Sequence, residues 1–360
     1  MLQTTKKRDY LFDNYKAFLI IMVVIGHFIQ PCYKNNSVLY VLKYLIYTFH
    51  MPAFVFVSGY FSKKDLPWKM AVQKALVPYL SFQVLYYMYY TYGIGINTKW
   101  TLEYPKFSLW YLLALFAWKV VTPYFRKLPH CFITSLVLGV GFGCLQVTGT
   151  YLSISRIIVY YPFFLAGMFL ERGHLEKLRT KKNQRFCAAS LGMLVLSAKT
   201  LIRFFDFRLS YFYGKESYEG LGLDNLEGIL IRLACYAMGF FITYAFAVLM
   251  TEKEIRFSKL GSSTISIYLF HGLFFKFLEH KTTILESVNT APETIVLLMF
   301  CVLLVFVFAL TPFCEVANFL ASLSFKNVFG MNLSEKIRTT MRVIARNMLY
   351  IPTYNVLGEE

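Results

Sequence analysis

Long apolar runs separated by short polar connections set the pattern of this chain. Runs of roughly 17 to 25 apolar residues are long enough to cross a bilayer as helices. The sequence predicts about ten, near 13–31, 38–61, 72–92, 107–123, 131–149, 153–171, 185–202, 226–250, 261–279 and 293–321. Only the connections 93–106 and 203–225 are longer, and nothing between the runs resembles a separate soluble domain. The predicted fold is therefore an all-α integral membrane protein, a bundle of about ten transmembrane helices over residues 1–325. The rest, 326–360, is a basic tail with apolar positions at Leu333, Ile337, Met341, Ile344 and Met348. That spacing suits a helix lying in the headgroup region, or one packed on the inner loops.

Composition agrees with a bilayer as solvent. The chain is 57% hydrophobic and 16% charged, with a mean hydropathy of +0.50, which leaves too little polar surface for a soluble domain of this size. A formal net charge of +17 would raise the question of nucleic acid in a soluble protein. Here the cations gather in the connections, as the positive-inside rule requires, so no nucleic-acid partner is expected. About 23 fall on the side of the N-terminus and about 7 on the other, which predicts both termini in the cytoplasm of a plasma-membrane protein. The seven cysteines are scattered singly, without CxxC or Cys/His spacing, so neither a disulfide framework nor a metal is predicted. The first apolar run carries Lys16 and His27, unlike a signal peptide core, and is read as a retained span.

Ionisable groups inside these runs are few and costly. Lys43, Lys119, Lys199 and Lys276 lie near span ends, where they can snorkel to the interface. Lys16, His27, His50, Arg156 and His271 cannot be placed at an end so easily. At the helical rise, His27 sits ~21 Å above Asp13, while His50 and His271 fall ~15 to 18 Å into their spans. Three imidazoles at similar depth, with Arg156 near the outer face, predict one buried cavity that opens outward. Lys16 precedes His27 by eleven residues, about three turns, so both project from one helix face. Such a face suits a long phosphorylated molecule threaded along the helix, or Lys16 simply pairs with Asp13.

The order of these residues resembles the membrane-bound acyltransferase family 3. LFDNYKAFLIIMVVIGHF is similar to the family's opening helix, with Asp13, Lys16 and His27 in place. YTFHMPAFVFVSGYFSKK, with His50, Pro52, Ser58 and Gly59, resembles its second segment. Further matches are LVPYLSF, SLWYLLALF with Trp110 and Tyr111, RIIVYYPFFLAGMFL with Arg156, and LGSSTISIYLFHGLF with Ser266, Tyr268 and His271. The likeness covers about residues 9 to 275 and is nearest to the sugar-modifying branch that includes fucose 4-O-acetylase-like proteins. Lys16 stands where the family often has arginine, and Lys69 and Lys74 where it has an arginine pair. Lysine keeps the charge and gives up bidentate phosphate binding.

The resemblance implies transfer of an acyl group, usually acetyl, from cytoplasmic acyl-CoA to a hydroxyl of a glycan or lipid-linked sugar. A neutral imidazole within reach of a sugar hydroxyl can take its proton as the oxygen attacks the thioester. His27 is the first candidate for that base. His271 is the second, as an acyl-site or acceptor-orienting group, and His50 would stabilise the oxyanion or hold the tautomer of His27. Lys16, Lys69 and Lys74 lie toward the cytoplasm, where acetyl-CoA would bring its phosphates, and Arg156 would meet the acceptor or the thioester end. Ser58, Ser266 and Tyr268 are candidate substrate contacts. Trp110 and Tyr111 suit a sugar-stacking platform or an interfacial anchor. The connections at 93–106 and 203–225 are expected to influence acceptor choice. A polysaccharide exporter is the rival reading, against which stand the lack of an internal repeat and of paired interrupted helices.

Overall fold

A computed structural model describes residues 8–146 and 150–323, so the tail at 326–360 lies outside the described residues. Helices make up the fold, and no strand occurs among the described residues. In chain order those longer than seven residues are α1 (Tyr10–Phe28), α2 (Ser37–Tyr60), then a continuous run, α3, assembled from Trp68–Ala71, Val72–Leu76, Val77–Met88 and Tyr89–Gly93. Next come α4 (Trp110–Phe125), α5 (Cys131–Gly141), α6 (Ile154–Phe169), α7 (Lys181–Phe204) and α8 (Asn225–Leu249). The last are α9 (Thr264–Lys281), α10 (Ala291–Phe308) and α11 (Thr311–Ser322).

Each of the ten predicted runs meets a helix, but only six described helices are both long and apolar enough to cross a membrane: α1, α2, Tyr151–Phe169, α7, α8 and α10. The shortfall has local causes. In α3 the segments Val72–Leu76 and Tyr89–Gly93 are π-helical, which leaves an α-helical stretch of only 12 residues, Val77–Met88, between them. Helix α4 has 16 residues, and α9 carries Lys276, Glu279 and Lys281 in its last two turns. The run at 293–321 is split after α10, because Pro312 opens α11 in the first turn, where its missing N–H is harmless. Side-chain caps define several starts: Asn36 Oδ1 accepts from the Val38 and Leu39 amides, and Thr290 and Glu293 form a reciprocal capping box at α10.

Helix α1 is the axis of the bundle, packed against α2, α8, α9, α10 and the Arg256–Ser262 turn. Helix α2 packs most extensively against α6. The two meet at glycines: a Cβ on Gly59 would lie 1.9 Å from the Phe164 carbonyl oxygen, and one on Gly167 1.8 Å from that of Phe56. Small residues at such a crossing let two backbones approach in a medium that offers no hydrophobic drive between helices. The connections after α2, α4, α6 and α8 share one end of the bundle with the start of α1, and that end carries most of the cations.

Candidate active site

A cavity of about 220 Å³ lies among α1, α2, α4, α6 and α9, with its mouth formed by the 203–225 connection. Its walls include His27, His50, Trp110, Tyr111, Arg156 and Tyr268, so six residues chosen from the sequence share one space. His271 lies behind them, fully buried, with its ring 5.4 Å from that of His27 between centroids. The phenyl ring of Phe107 covers His27 at 4.6 Å.

Hydrogen bonding fixes two of the three tautomers. His50 Nδ1 lies 2.8 Å from the Ile46 carbonyl and His271 Nδ1 2.9 Å from that of Ile267. A carbonyl only accepts, so each Nδ1 carries the proton and each Nε2 the lone pair. The Nε2 of His271 is buried without a hydrogen-bond partner among the described residues. No protein group among the described residues hydrogen-bonds the His27 ring, which stays partly accessible from the cavity. A free imidazole beside an open cavity is the arrangement a base needs for an incoming hydroxyl.

Arg156 stacks its guanidinium 4.9 Å above the Trp110 ring and donates from Nε to the Tyr213 carbonyl at 3.4 Å. It makes no ion pair among the described residues, and the Glu216 carboxylate nearby is paired with Lys215 at 3.0 Å. Phe212, Tyr213 and Lys215 bring the 203–225 connection to the same wall. Tyr213 stands outside the spans, and burial raises its hydroxyl above the ordinary phenol range, so it stays protonated as a donor. The neighbouring 93–106 connection ends in Lys106, whose ammonium donates to Thr98 Oγ1 at 2.6 Å and is pushed down by burial. Phe107 and Ser108 follow it into the cavity wall.

A second cavity, about 260 Å³, opens toward the basic end. Lys16, Lys74 and Lys119 line it, together with Ser58 and Thr264. Lys16 keeps the predicted pair with Asp13, at 2.8 Å, while Arg8 holds the other carboxylate oxygen at 2.5 Å. That bond to the carboxylate raises the Arg8 guanidinium above its ordinary range. Lys74 sits in the π-helical turn Val72–Leu76, a distortion frequent at functional sites. Lys69 lies elsewhere, exposed, with its ammonium 5.9 Å from the Trp68 ring centroid. Phe54, Tyr111 and Tyr268 belong to both cavities and form the partition between them. Tyr111 and Ser58 share a short hydroxyl–hydroxyl bond, and Tyr268 donates to the Ser108 carbonyl. Ser266 takes no part, since its hydroxyl donates to the Phe308 carbonyl at 2.6 Å in the interior.

Two lysines read as snorkelling do something else. Lys119 lines the basic cavity, and Lys43 is fully buried, donating to the Gly26 carbonyl at 2.6 Å and the Tyr47 hydroxyl at 3.1 Å. Lys276 pairs with Glu279 at 2.5 Å, and Lys199 is exposed on α7. Tyr47, which packs on His50 at 4.7 Å, escaped the sequence reading. Its signal was present: Lys43, Tyr47 and His50 are spaced i, i+4 and i+7 and share one face of α2. Among the described residues, no group of three His, Cys, Asp or Glu side chains could hold a metal ion.

The acyltransferase family 3 profile, described as an acyltransferase domain, matches residues 9–311. The chain belongs to that family. It is a membrane-embedded enzyme, an O-acetyltransferase by class. It is similar to the nodulation protein NolL of Mesorhizobium japonicum, 25% identical over 96% of this chain and 90% of the relative. It is also similar to the nodulation protein NolL of Sinorhizobium fredii, 26% identical over 75% of this chain and 78% of the relative. No solved structure matches at a significant level.

Proposed function

We propose that this acyltransferase carries an acetyl group across the membrane, from acyl-CoA at the cytoplasmic face to a hydroxyl of a glycan or lipid-linked sugar at the outer face. The observation that carries the reading is the pair of cavities joined at Phe54, Tyr111 and Tyr268, one basic and the other holding the histidines. Phosphates of coenzyme A suit Lys16, Lys74 and Lys119, leaving the thioester to reach past the partition toward His27. In this reading the bundle crosses the plasma membrane about ten times with both termini inside, and the acceptor is of the kind used by the fucose 4-O-acetylase-like branch.

The chemistry follows from the groups present. The sugar hydroxyl gives its proton to His27 as its oxygen bonds to the thioester carbon. Negative charge gathers on the former carbonyl oxygen, near the guanidinium of Arg156. The intermediate then expels the thiolate by breaking the C–S bond. The imidazolium returns its proton to the sulfur, so the products are an O-acetyl sugar and free coenzyme A.

Replacing His27 by Ala tests this directly. The variant is expected to accumulate normally in the membrane and to lose acetylation by about 10²- to 10⁴-fold, read as free thiol released from acetyl-CoA with glycan present. Unchanged acetyl content would remove His27 from the mechanism.

A further inference from the structure

A large apolar cleft adjoins the site without belonging to it. It measures about 610 Å³, within the range of small-molecule sites, and lies between α2, α7 and α8. Leu45, Leu194, Ala198, Ala234, Met238 and Phe212 are among its walls. Its hydroxyls are already engaged: Thr48 Oγ1 donates to the Leu45 carbonyl at 2.6 Å, and the Tyr44 hydroxyl accepts from Tyr40 at 3.3 Å. The cleft therefore offers a ligand shape and hydrocarbon contact only. Helix α7 stands at the edge of the bundle, with 6% of its apolar window buried against 72% for α1, so the cleft faces the bilayer sideways.

One residue joins this cleft to the catalytic cavity. Phe212 is a wall of both. Tyr160 anchors that wall by donating to the Phe212 carbonyl at 2.6 Å, and the next carbonyl, of Tyr213, accepts from Arg156. The cleft on one side of Phe212 is hydrocarbon, and the cavity on its other side holds the Arg156 guanidinium, His27 and His50. That arrangement matches an amphiphile with a tail, an anionic junction and a sugar head.

We propose that the cleft binds the hydrocarbon tail of the acceptor, a lipid-linked sugar whose anionic phosphate linkage meets Arg156 while its hydroxyl reaches His27. The inference rests on the acyl-transfer reading and narrows its acceptor to a lipid-linked form. Sideways access lets such a molecule enter from the leaflet with its tail still in hydrocarbon, so only the head exchanges water for protein.

The test uses full-length protein in membrane vesicles of its own cells, supplied with acetyl-CoA labelled in the acetyl group. Products are partitioned between organic and aqueous phases, and the organic fraction is treated with mild acid, which cleaves sugar from a phosphate-linked lipid. The inference expects label in the organic phase that moves to water after acid. It also expects Ala234→Trp, which fills the cleft from an accessible position, to reduce that product about tenfold. Ala198→Phe fills it from the other wall and serves where Ala234→Trp lowers the amount of protein. Label confined to water-soluble glycan, or left in the organic phase after acid, overturns the inference while acyl transfer stands. Full activity of both filled variants also overturns it, leaving the cleft to bulk lipid. Absence of label from any sugar instead defeats the acyl-transfer reading.

Discussion

The imidazole of His271 lies 5.4 Å from that of His27, and its own Nδ1 proton is committed to the Ile267 carbonyl. Its Nε2 is thereby a buried lone pair without a partner, an arrangement that is costly unless a donor meets it. Of the rings around it, His27 stands nearest, with Phe107 at 5.8 Å and Tyr268 at 6.2 Å. The two rings make no hydrogen bond in this structure; a rotation of the His27 ring that aimed an N–H at this lone pair would satisfy it and leave the other nitrogen of His27 free to act as base. His271 is then a positioning residue that holds one tautomer.

His271→Ala is expected to lower kcat about 10- to 100-fold, with KM for acyl-CoA nearly unchanged. His271→Gln, whose amide oxygen can replace the Nε2 acceptor, is expected to recover part of that loss. Steady-state kinetics on both variants decide the matter. A KM effect of the same size in both would make His271 a binding or packing residue.

The basic cavity gives a second expectation. Lys74 and Lys119 line it without a carboxylate partner among the described residues, whereas Lys16 is shared with Asp13. Lys74→Gln and Lys119→Gln are each expected to raise KM for acetyl-CoA about tenfold, the scale of one charge-assisted hydrogen bond. The effect should shrink for a truncated donor, an acetyl thioester of pantetheine, which lacks the nucleotide phosphates. Equal effects on both donors would place the phosphates elsewhere. Lys69→Gln is the internal control, expected to be silent because Lys69 lies outside the cavity.

Much of this was legible in the chain, and the parts that were not have physical reasons. Apolar runs located every long helix, because hydrocarbon admits little else. Their number was harder to read: a π-helical turn in α3 or a Pro312 that opens α11 changes the helix without changing its apolar composition. Imidazole depth along each span brought His27 and His50 to one cavity, since the helical rise alone sets that coordinate. Rotation about the helix axis is set by packing, so depth could not reveal that Ser266 turns toward Phe308 or that Lys69 turns outward. Lys43 was misread for the same reason. Its position near a span end suggested snorkelling, while the close approach of α1 gave it the Gly26 carbonyl instead.

Packing at the α2–α6 crossing yields a third expectation. Gly59→Ala would put a methyl group 1.9 Å from the Phe164 oxygen, and Gly167→Ala one 1.8 Å from the Phe56 oxygen. In both cases the obstacle is backbone, which cannot rotate aside, so the helices must separate. Each substitution is expected to cost about 1–3 kcal/mol, the usual penalty of overpacking. The measurement is the midpoint of thermal loss of the folded peak in detergent. An unchanged midpoint would show that the crossing is looser than these distances.

The partition between the cavities provides the last expectation. Among the described residues, Phe54, Tyr111 and Tyr268 are all that the two spaces share, and Tyr111 is held to Ser58 while Tyr268 is held to the Ser108 carbonyl. A thioester that crosses this partition is exposed to whatever occupies the histidine cavity, and without an acceptor that is water. Two phenols pinned by hydrogen bonds restrict the opening, so that the donor's reactive carbon meets a sugar hydroxyl rather than solvent. Tyr111→Ala removes one pinned ring and its bond to Ser58. It is expected to raise acceptor-independent thiol release several-fold, about 0.6–1.4 kcal/mol in barrier, while lowering transfer to sugar. Tyr111→Phe keeps the ring and is expected to leak less than Tyr111→Ala. The ratio of thiol released to acetyl transferred separates the two roles of this residue. A ratio unchanged in Tyr111→Ala would mean that the ring does not guard the thioester, and that the two cavities are kept apart by the helices alone.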